Sequence, residues 1–360
     1  MLVILFLCTV LISIFTLLPM ARHSHWIVRG MDFPRVQIAI LASLLLLAHL
    51  CFLDLHTATS WAQLAVTGVC VAWQLWWVLP YTMLWQKEVA DSNNPATDRT
   101  ISILTSNVLT PNRNAEALIA LVQKYQPDIL VTLESDQWWE RKLDVLEAEM
   151  PYSIKCPLDN LYGMHVFSRL PLIESEICFL VEDDVPSIHT LVQMRSGDKV
   201  RVHFLHPAPP SPTENPESAE RDAELIVVAR SIAESEQPVV VAGDLNDVAW
   251  SATTRLFRKI SGLLDPRVGR GMFNTFHVNY PFLRWPLDHL FHSEHFTLHH
   301  IDRLPSIGSD HFPLLTCLTL TPSQQPRQNG LSGDQTDYEW AVEITGAQNV
   351  NKSDVPQPGE

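Results

Sequence analysis

Cysteine builds no framework in this sequence. The six cysteines contain no Cys-x-x-Cys pair; Cys8, Cys51 and Cys70 fall inside apolar runs, and Cys156, Cys178 and Cys317 are an odd number scattered through the rest. A disulfide scaffold and a structural zinc site therefore have no support. Positive charge is scarce as well. The 360-residue chain carries 25 Lys and Arg against 40 Asp and Glu, and Lys87 to Gln325 alone carries 20 against 32. This balance counts against extensive contact with a polyanionic duplex, which basic surfaces normally grip. No internal repeat is present.

Charge of either sign is missing altogether from Met1 to Met20, Val36 to Leu53 and Trp61 to Trp85. A helix needs roughly 20 apolar residues to cross a hydrocarbon core, so three membrane spans are predicted. Trp26, Trp61, Trp76, Trp77 and Trp85 fall at or near the ends of these runs, where indole rings favour the membrane interface. The first run lacks a basic n-region and a small-x-small cleavage site, which argues against a cleaved signal peptide. Arg22, Arg29 and Arg35 lie between the first two spans, whereas the next loop, DLHTATS, has an acid and no Lys or Arg. Positive loops stay cytoplasmic. The expectation is a multi-pass protein of the cell inner membrane with its N-terminus outside and everything after Lys87 in the cytoplasm. With no Lys, Arg or acid inside them, the spans show no transport path and read as an anchor.

The remainder divides by composition. Residues 1–86 form the anchor and 87–99 a polar linker. Residues 100–320 alternate strand-like and helical runs, among them ISILTSN, NAEALIALVQKYQ and DILVTLE, which predicts an α/β domain. Later runs, YGMHVFS, LIESEICFLV, SIHTLVQMR and KVRVHFLH, leave little room for helices between them. Two packed sheets flanked by helices fit this order better than a single doubly wound sheet. Residues 321–360 are rich in Gln, Pro, Asn, Gly and Asp and are expected to be a disordered tail.

Several strand candidates end alike. VVVAGDLN sets Asp244 and Asn246 directly after a buried apolar run, and Asn107, Glu134 and His206 stand at the ends of three others. WPLDHLF carries Asp288, and IGSDHFP carries Asp310 and His311. Polar groups at the ends of neighbouring strands converge on one rim, the usual place for a site in a sheet-based fold.

The ordered set of Asn107, Glu134, the YGMHVFSRLP segment, His206, GDLN, Asp288 and SDH resembles the endonuclease/exonuclease/phosphatase superfamily over about Thr100 to Leu320. It also resembles a bacterial membrane-bound branch with N-terminal spans. The resemblance implies a deoxyribonuclease-like two-sheet α/β sandwich and a Mg²⁺-dependent phosphoester hydrolase, with Mn²⁺ as a substitute. It implies Glu134 as first metal ligand with Asn107 and Asp310 beside it, and Asp288 orienting His311 as base or phosphate-stabilising imidazolium. Asp244 would orient the water or bind metal, Asn246 would donate to a phosphoryl oxygen, and His206 would contact phosphate or donate a proton.

Each residue also has a plain reading, since Asp and Asn after strands are turn formers and a lone His is often a core residue. The histidines His292, His295, His299 and His300 read better as a strand face than as a metal cluster, and Glu182, Asp183 and Asp184 as a solvated loop. Tyr162 and Gly163 lie where the family places residues near its site. Between GDLN and Asp288 the local charge is positive, with Arg255, Arg258, Lys259, Arg267, Arg270 and Arg284 against Asp265. Arg267 and Arg270 are therefore candidate contacts to substrate phosphate or anionic lipid. The expected partners are a lipid bilayer and a phosphoester, preferably a lipid headgroup or small molecule, with nucleic acid as the alternative substrate. No protein partner is inferred. A catalytically silent binding module is the reading from another class, but no catalytic position is lost.

Overall fold

A computed structural model of the chain describes residues 1–92, 96–321, 328 and 330–359. Helix α1 (Leu2–Leu17) leads through a connector holding the short α2 (Trp26–Gly30) into α3 (Arg35–Phe52) and α4 (Ala58–Val78). With adjoining turns, the three long helices are of a length and apolarity to cross a membrane. Their outer faces expose Leu7, Leu44 and Trp76. Polar side chains gather inside instead: His49 lies 3.2 Å from Thr9 Oγ1 and 3.5 Å from Thr67 Oγ1. Apolar outside and polar inside is the arrangement that hydrocarbon favours.

The connector end of this bundle is seated on the rest of the molecule. Trp26 donates its backbone N–H to Pro216 O at 2.9 Å, and Ser218 donates to Ser24 O at 2.9 Å. The Trp250 indole donates to Asp32 O at 2.8 Å, and the Tyr81 hydroxyl to Ala249 O at 2.6 Å.

The rest of the chain runs β1 (Thr100–Asn107), α5 (Ala115–Tyr125), β2 (Ile129–Leu133), α6 (Gln137–Leu143), β3 (Tyr152–Cys156), β4 (Met164–Ser168), β5 (Leu172–Cys178), β6 (Ser187–Gln193), β7 (Lys199–Leu205), α7 (Ala219–Ile232), β8 (Val239–Asp244), α8 (Ala252–Ser261), β9 (Asp288–His292), β10 (Phe296–Arg303), β11 (Leu314–Leu320) and α9 (Gln335–Ala347). One sheet has the order β10-β11-β1-β2-β4-β3 and the other β5-β6-β7-β8-β9. Among the strands of the described residues, β1–β2 and β7–β8 pair in parallel and the others antiparallel. Ile101, Ile103, Val131 and Val166 of the first sheet pack on Val200, Val202, Val240 and Leu290 of the second. Helices cover both outer faces, α5 and α6 through Leu118 and Trp139, α7 and α8 through Val227 and Phe257. The chain thus has the deoxyribonuclease-like two-sheet α/β sandwich preceded by three apolar helices, as the order of runs predicts.

Two composition-based expectations need correction. Within the expected linker 87–99, Glu88 and Val89 are part of the fold: Val89 is fully buried in the central core, and Arg258 reaches Glu88 at 2.5 Å. Ser92 and Ala90 also bond to Leu298 along β10. Within the expected tail, α9 is a capped helix, with Asp334 and Asp337 exchanging side-chain and backbone bonds. Ala341 of α9, with Trp340 and Ile344 beside it and Val350 and Val355 beyond its end, joins the cluster around α7. An apolar stripe on one face is enough to fold a segment whose average composition is polar. Residues 322–327, 329 and 360 of the expected tail, and 93–95 of the expected linker, lie outside the described residues.

Candidate active site

The two parallel pairs, β1–β2 and β7–β8, point their C-terminal ends at one rim. Asn107 closes β1 and Glu134 follows β2; His206 follows β7, Asp244 closes β8 and Asp288 opens the adjacent β9. Asp310 and His311 come from the segment before β11. Gly243 makes the approach of β7 and β8 feasible. Its φ is +150°, and a Cβ there would lie 1.9 Å from Leu205 O. Glu134 and Asn246 also hold left-handed backbone, at φ +57° and +50°, and such strain collects where a fold over-determines a working residue.

Distances join these residues into one constellation. His311 Nδ1 lies 2.7 Å from Asp288 Oδ2, and its Nε2 lies 3.5 Å from Asp244 Oδ2. Asn107 Nδ2 donates to Glu134 Oε1 at 2.8 Å and to Asp244 Oδ2 at 3.3 Å. Asn246 donates its backbone N–H to Asp244 Oδ1 at 3.0 Å and one amide proton to Pro207 O at 3.0 Å. Ser309 Oγ accepts the His311 N–H at 3.1 Å, and the Phe276 ring lies 4.9 Å from the imidazole. These bonds join Asn107, Glu134, Asp244, Asn246, Asp288 and His311; Asp310 lines the same cavity as Glu134 and His311, and His206 feels the charge of Asp244 and His311.

Their ionisation differs by environment. Burial disfavours a charged His311, but the carboxylates of Asp288 and Asp244 outweigh it and hold the imidazole up to about 10. Burial pushes His206 down to about 4, against the pull of Asp244. One imidazole is thus held charged and the other neutral. Burial pushes Glu134 up to about 7 despite the Asn107 amide, and raises Asp244 despite His311.

A divalent cation fits this donor set. Glu134 Oε2 is buried without a hydrogen-bond partner, and Asp310 and Asp244 act on it through their charge. An orphaned, desolvated carboxylate oxygen beside further carboxylates is what a hard cation satisfies. Asp244, Asp288 and His311 also bring three donor atoms within 4.8 Å of one another, the one such grouping among the described residues. We favour the Glu134 side, because Asp288 already holds His311 as an ion pair at 2.7 Å.

Other candidates fall elsewhere. Arg267 does not face substrate: it is buried, paired with Asp265 at 2.9 Å and bonded to His289 Nδ1 at 2.7 Å behind β9. Arg270 is likewise spent on Asp91 at 2.7 Å and Val89 O at 2.6 Å. Both brace the chain, because each cation found an acid or carbonyl that the local charge count did not place. His292 bonds to Ser293 O and His295 to Ser293 Oγ, while the rings of His299 and His300 meet edge to face. Tyr162 packs against His206 at 5.3 Å and donates to Glu214 at 2.8 Å. Gly163 is required too, since a Cβ would sit 2.1 Å from Ser135 O.

The sequence reading missed one wall of the site. A cavity of about 600 Å³ is lined by Glu134, Asn246, Asp310 and His311 on one side and by Trp26, Phe33 and Pro34 of the span connector on the other. Phe276, Leu283, Trp285 and Leu287, with Pro209 and Pro210 of the proline-rich loop after His206, add to its apolar lining. The aromatic residues of the connector were the only signal available.

A profile of the Endonuclease/Exonuclease/phosphatase family matches residues 104–311, from β1 to His311. The chain belongs to this family. It is accordingly a metal-dependent phosphoric ester hydrolase. Solved members of the same fold include D. rerio TDP2 complexed with a single-strand DNA product, 20% identical over 62% of this chain and 100% of that one, with a TM-score of 0.51. The human Nocturnin catalytic domain with bound sulfate is 18% identical over 66% of this chain and 97% of that one, TM-score 0.51. An endonuclease/exonuclease/phosphatase from Beutenbergia cavernae DSM 12333 is 17% identical over 62% and 72%, TM-score 0.51. A search of curated proteins returns no match. The matched residues lie within the sandwich, and the three apolar helices precede them.

Proposed function

We propose that the protein is a membrane-tethered, Mg²⁺-dependent phosphodiesterase or phosphatase whose substrate joins a phosphate ester to an apolar group. The observation that carries this reading is the shared cavity: its acidic and imidazole floor belongs to the sandwich, and its aromatic wall to the connector between two apolar helices. Glu134, with Asn107 and Asp310, would hold the metal, which supplies charge neutralisation on the phosphoryl oxygens.

The chain's own groups account for the rest. Asp288 keeps His311 protonated, so that the imidazolium faces the phosphoryl group as a cation and proton source. Asp244, between His311 and Asn107, orients the attacking water. Asn246 keeps one amide proton for a phosphoryl oxygen after bonding Pro207. His206, neutral near pH 7, contacts the phosphate through hydrogen bonding only. Trp26, Phe33 and Leu283 exclude water from one side of the cleft, which strengthens these interactions.

The bilayer is the natural supplier of such a substrate, and the three arginines of the connector favour the cytoplasmic side of the inner membrane for this end of the bundle. Nuclease action is the alternative, favoured by the single-strand DNA product held by D. rerio TDP2. The test compares full-length protein in detergent on long-chain and short-chain esters of one phosphodiester headgroup, and on single-stranded DNA. A kcat/KM at least about tenfold higher for the long-chain ester, lost in Phe33→Ser, is expected from burial of several methylenes. Equal rates on both esters, or a preference for DNA, would overturn it.

A further inference from the structure

A second cavity, of about 250 Å³, shares no lining residue with the catalytic one. Its walls bring Arg22, Arg29 and Arg35 of the connector together with Arg255 and Lys259 of α8, and Asp337 is its one acidic lining residue. Pro19 and Met20, at the end of the first apolar helix, and Trp73 and Trp77, in the last turns of α4, form its outer edge. The cavity therefore lies where the bundle leaves its apolar zone and meets the sandwich.

Its charge is only partly compensated. Asp32 pairs Arg35 at 2.5 Å, and Asp337 pairs Lys259 at 2.7 Å. Asp222 stands 3.9 Å from Arg29 but is already held by Arg221 at 2.8 Å, and Arg29 Nε is buried without a partner. Arg22 and Arg255 have no carboxylate within salt-bridge distance among the described residues. They stack instead on aromatic faces, Arg22 over Trp340 at 4.7 Å and Arg255 over Trp77 at 5.0 Å. Stacking orients a guanidinium and leaves its N–H fork for a planar or tetrahedral anion. Burial, with Arg258 and Arg35 nearby, also pushes Arg255 below its ordinary value against the pull of Tyr81 and Glu88.

We propose that this cavity is a site for the phosphate headgroup of an anionic phospholipid, held by Arg255 and Arg22 with Lys259 and Arg29 behind them. Trp73 and Trp77 lie at the headgroup level, and the lipid's chains run along the exposed face of the bundle. The ligand chemistry is a phosphate ester, and its source is the bilayer. The site is one of binding, separate from hydrolysis; it shares with the proposed function only the placement of the three helices in a membrane.

The experiment uses the full chain in mixed micelles, with native mass spectrometry of lipids retained on the protein. Phosphatidylglycerol, phosphatidylcholine and glycerol phosphate are the three probes. Phosphatidylglycerol is expected to be retained at least about tenfold over phosphatidylcholine, since each cation near an anionic surface adds several-fold to partitioning. The preference should shrink with added salt and be lost in Arg255→Gln/Lys259→Gln, while His311→Ala keeps it, which separates this site from the catalytic cavity. Equal retention of the two lipids by the wild-type protein overturns the proposal whatever the variants do. A preference abolished by His311→Ala assigns the lipid to the catalytic cavity, and binding of glycerol phosphate as tight as that of the lipid assigns the pocket to a soluble anion; both also overturn it.

Discussion

Asp288 and His311 govern the pH behaviour of the site. The imidazolium is present through neutral pH and is lost as pH rises through about 10. Asp288→Asn removes the carboxylate at 2.7 Å, so the alkaline limb of the pH–rate profile should move toward lower pH by more than about one unit. The rate near neutral pH should fall by about 10²–10⁴. An alkaline limb that stays in place would remove His311 from its charged role. The sign is the same for stability: the pair stabilises the fold fully below the ordinary imidazole value, and that contribution is lost as pH rises through about 10. Glu224, on α7, shows the opposite design. It is buried with Oε1 unpartnered, and burial with Glu182 nearby pushes it from 4.5 up to about 8. The folded state therefore keeps a proton that the unfolded chain releases, and stability falls as pH rises from about 4.5 through about 8. Glu224→Gln should raise Tm at pH 8, by an amount worth ~1–3 kcal/mol, and change it little at pH 4.5. An equal shift at both pH values would mean that ionisation is not the cause.

At the scale of elements, legibility followed how far each signal reached along the chain. The ends of β1, β2, β7 and β8 were readable because each polar residue is contiguous with the apolar run that places it. Arg267 was misread because a charge count reports the presence of a cation and not its exposure. Its partners, Asp265 two residues away and His289 on β9, needed the fold to bring them in. Helix α9 was misread for a related reason: Trp340, Ala341 and Ile344 are few among polar neighbours, and only their shared face against α7 shows that they pack. Removing residues 331–360 should therefore lower Tm of the full chain by several degrees, since it strips cover from buried Ile226 and Val227. An unchanged Tm would return the segment to the status of a tail. The role of Trp26 and Phe33 could not be read locally, because the contacts that seat the connector, with Pro216, Ser218, Trp250 and Trp285 among them, lie far along the chain.

The whole molecule joins three apolar helices to a hydrolase through a shared wall. Phe33 packs on Trp285, Trp285 on Phe276 and Phe276 on His311, so ring contacts run from the connector between the apolar helices to the imidazole at the rim, and Tyr81 packs separately on Trp250. A bundle joined by a loose tether would leave the site open to water; this one closes a side of it. Fusing a reporter to the C-terminus tests the sidedness that follows from Arg22, Arg29 and Arg35: activity is expected only for a reporter that works in the cytoplasm, and periplasmic activity would invert the topology. On this reading the rim of the sandwich, built around Glu134 and the Asp288–His311 pair, hydrolyses phosphate esters with a divalent metal. The most direct measurement is phosphodiester turnover by the full chain as Mg²⁺ is titrated after EDTA treatment, in wild type and Glu134→Gln. Saturable Mg²⁺-dependent turnover, with the variant needing far more Mg²⁺ and turning over at least about 10²-fold more slowly, is the predicted result. Turnover that survives EDTA, or a variant indistinguishable from wild type at every Mg²⁺ concentration, would contradict it.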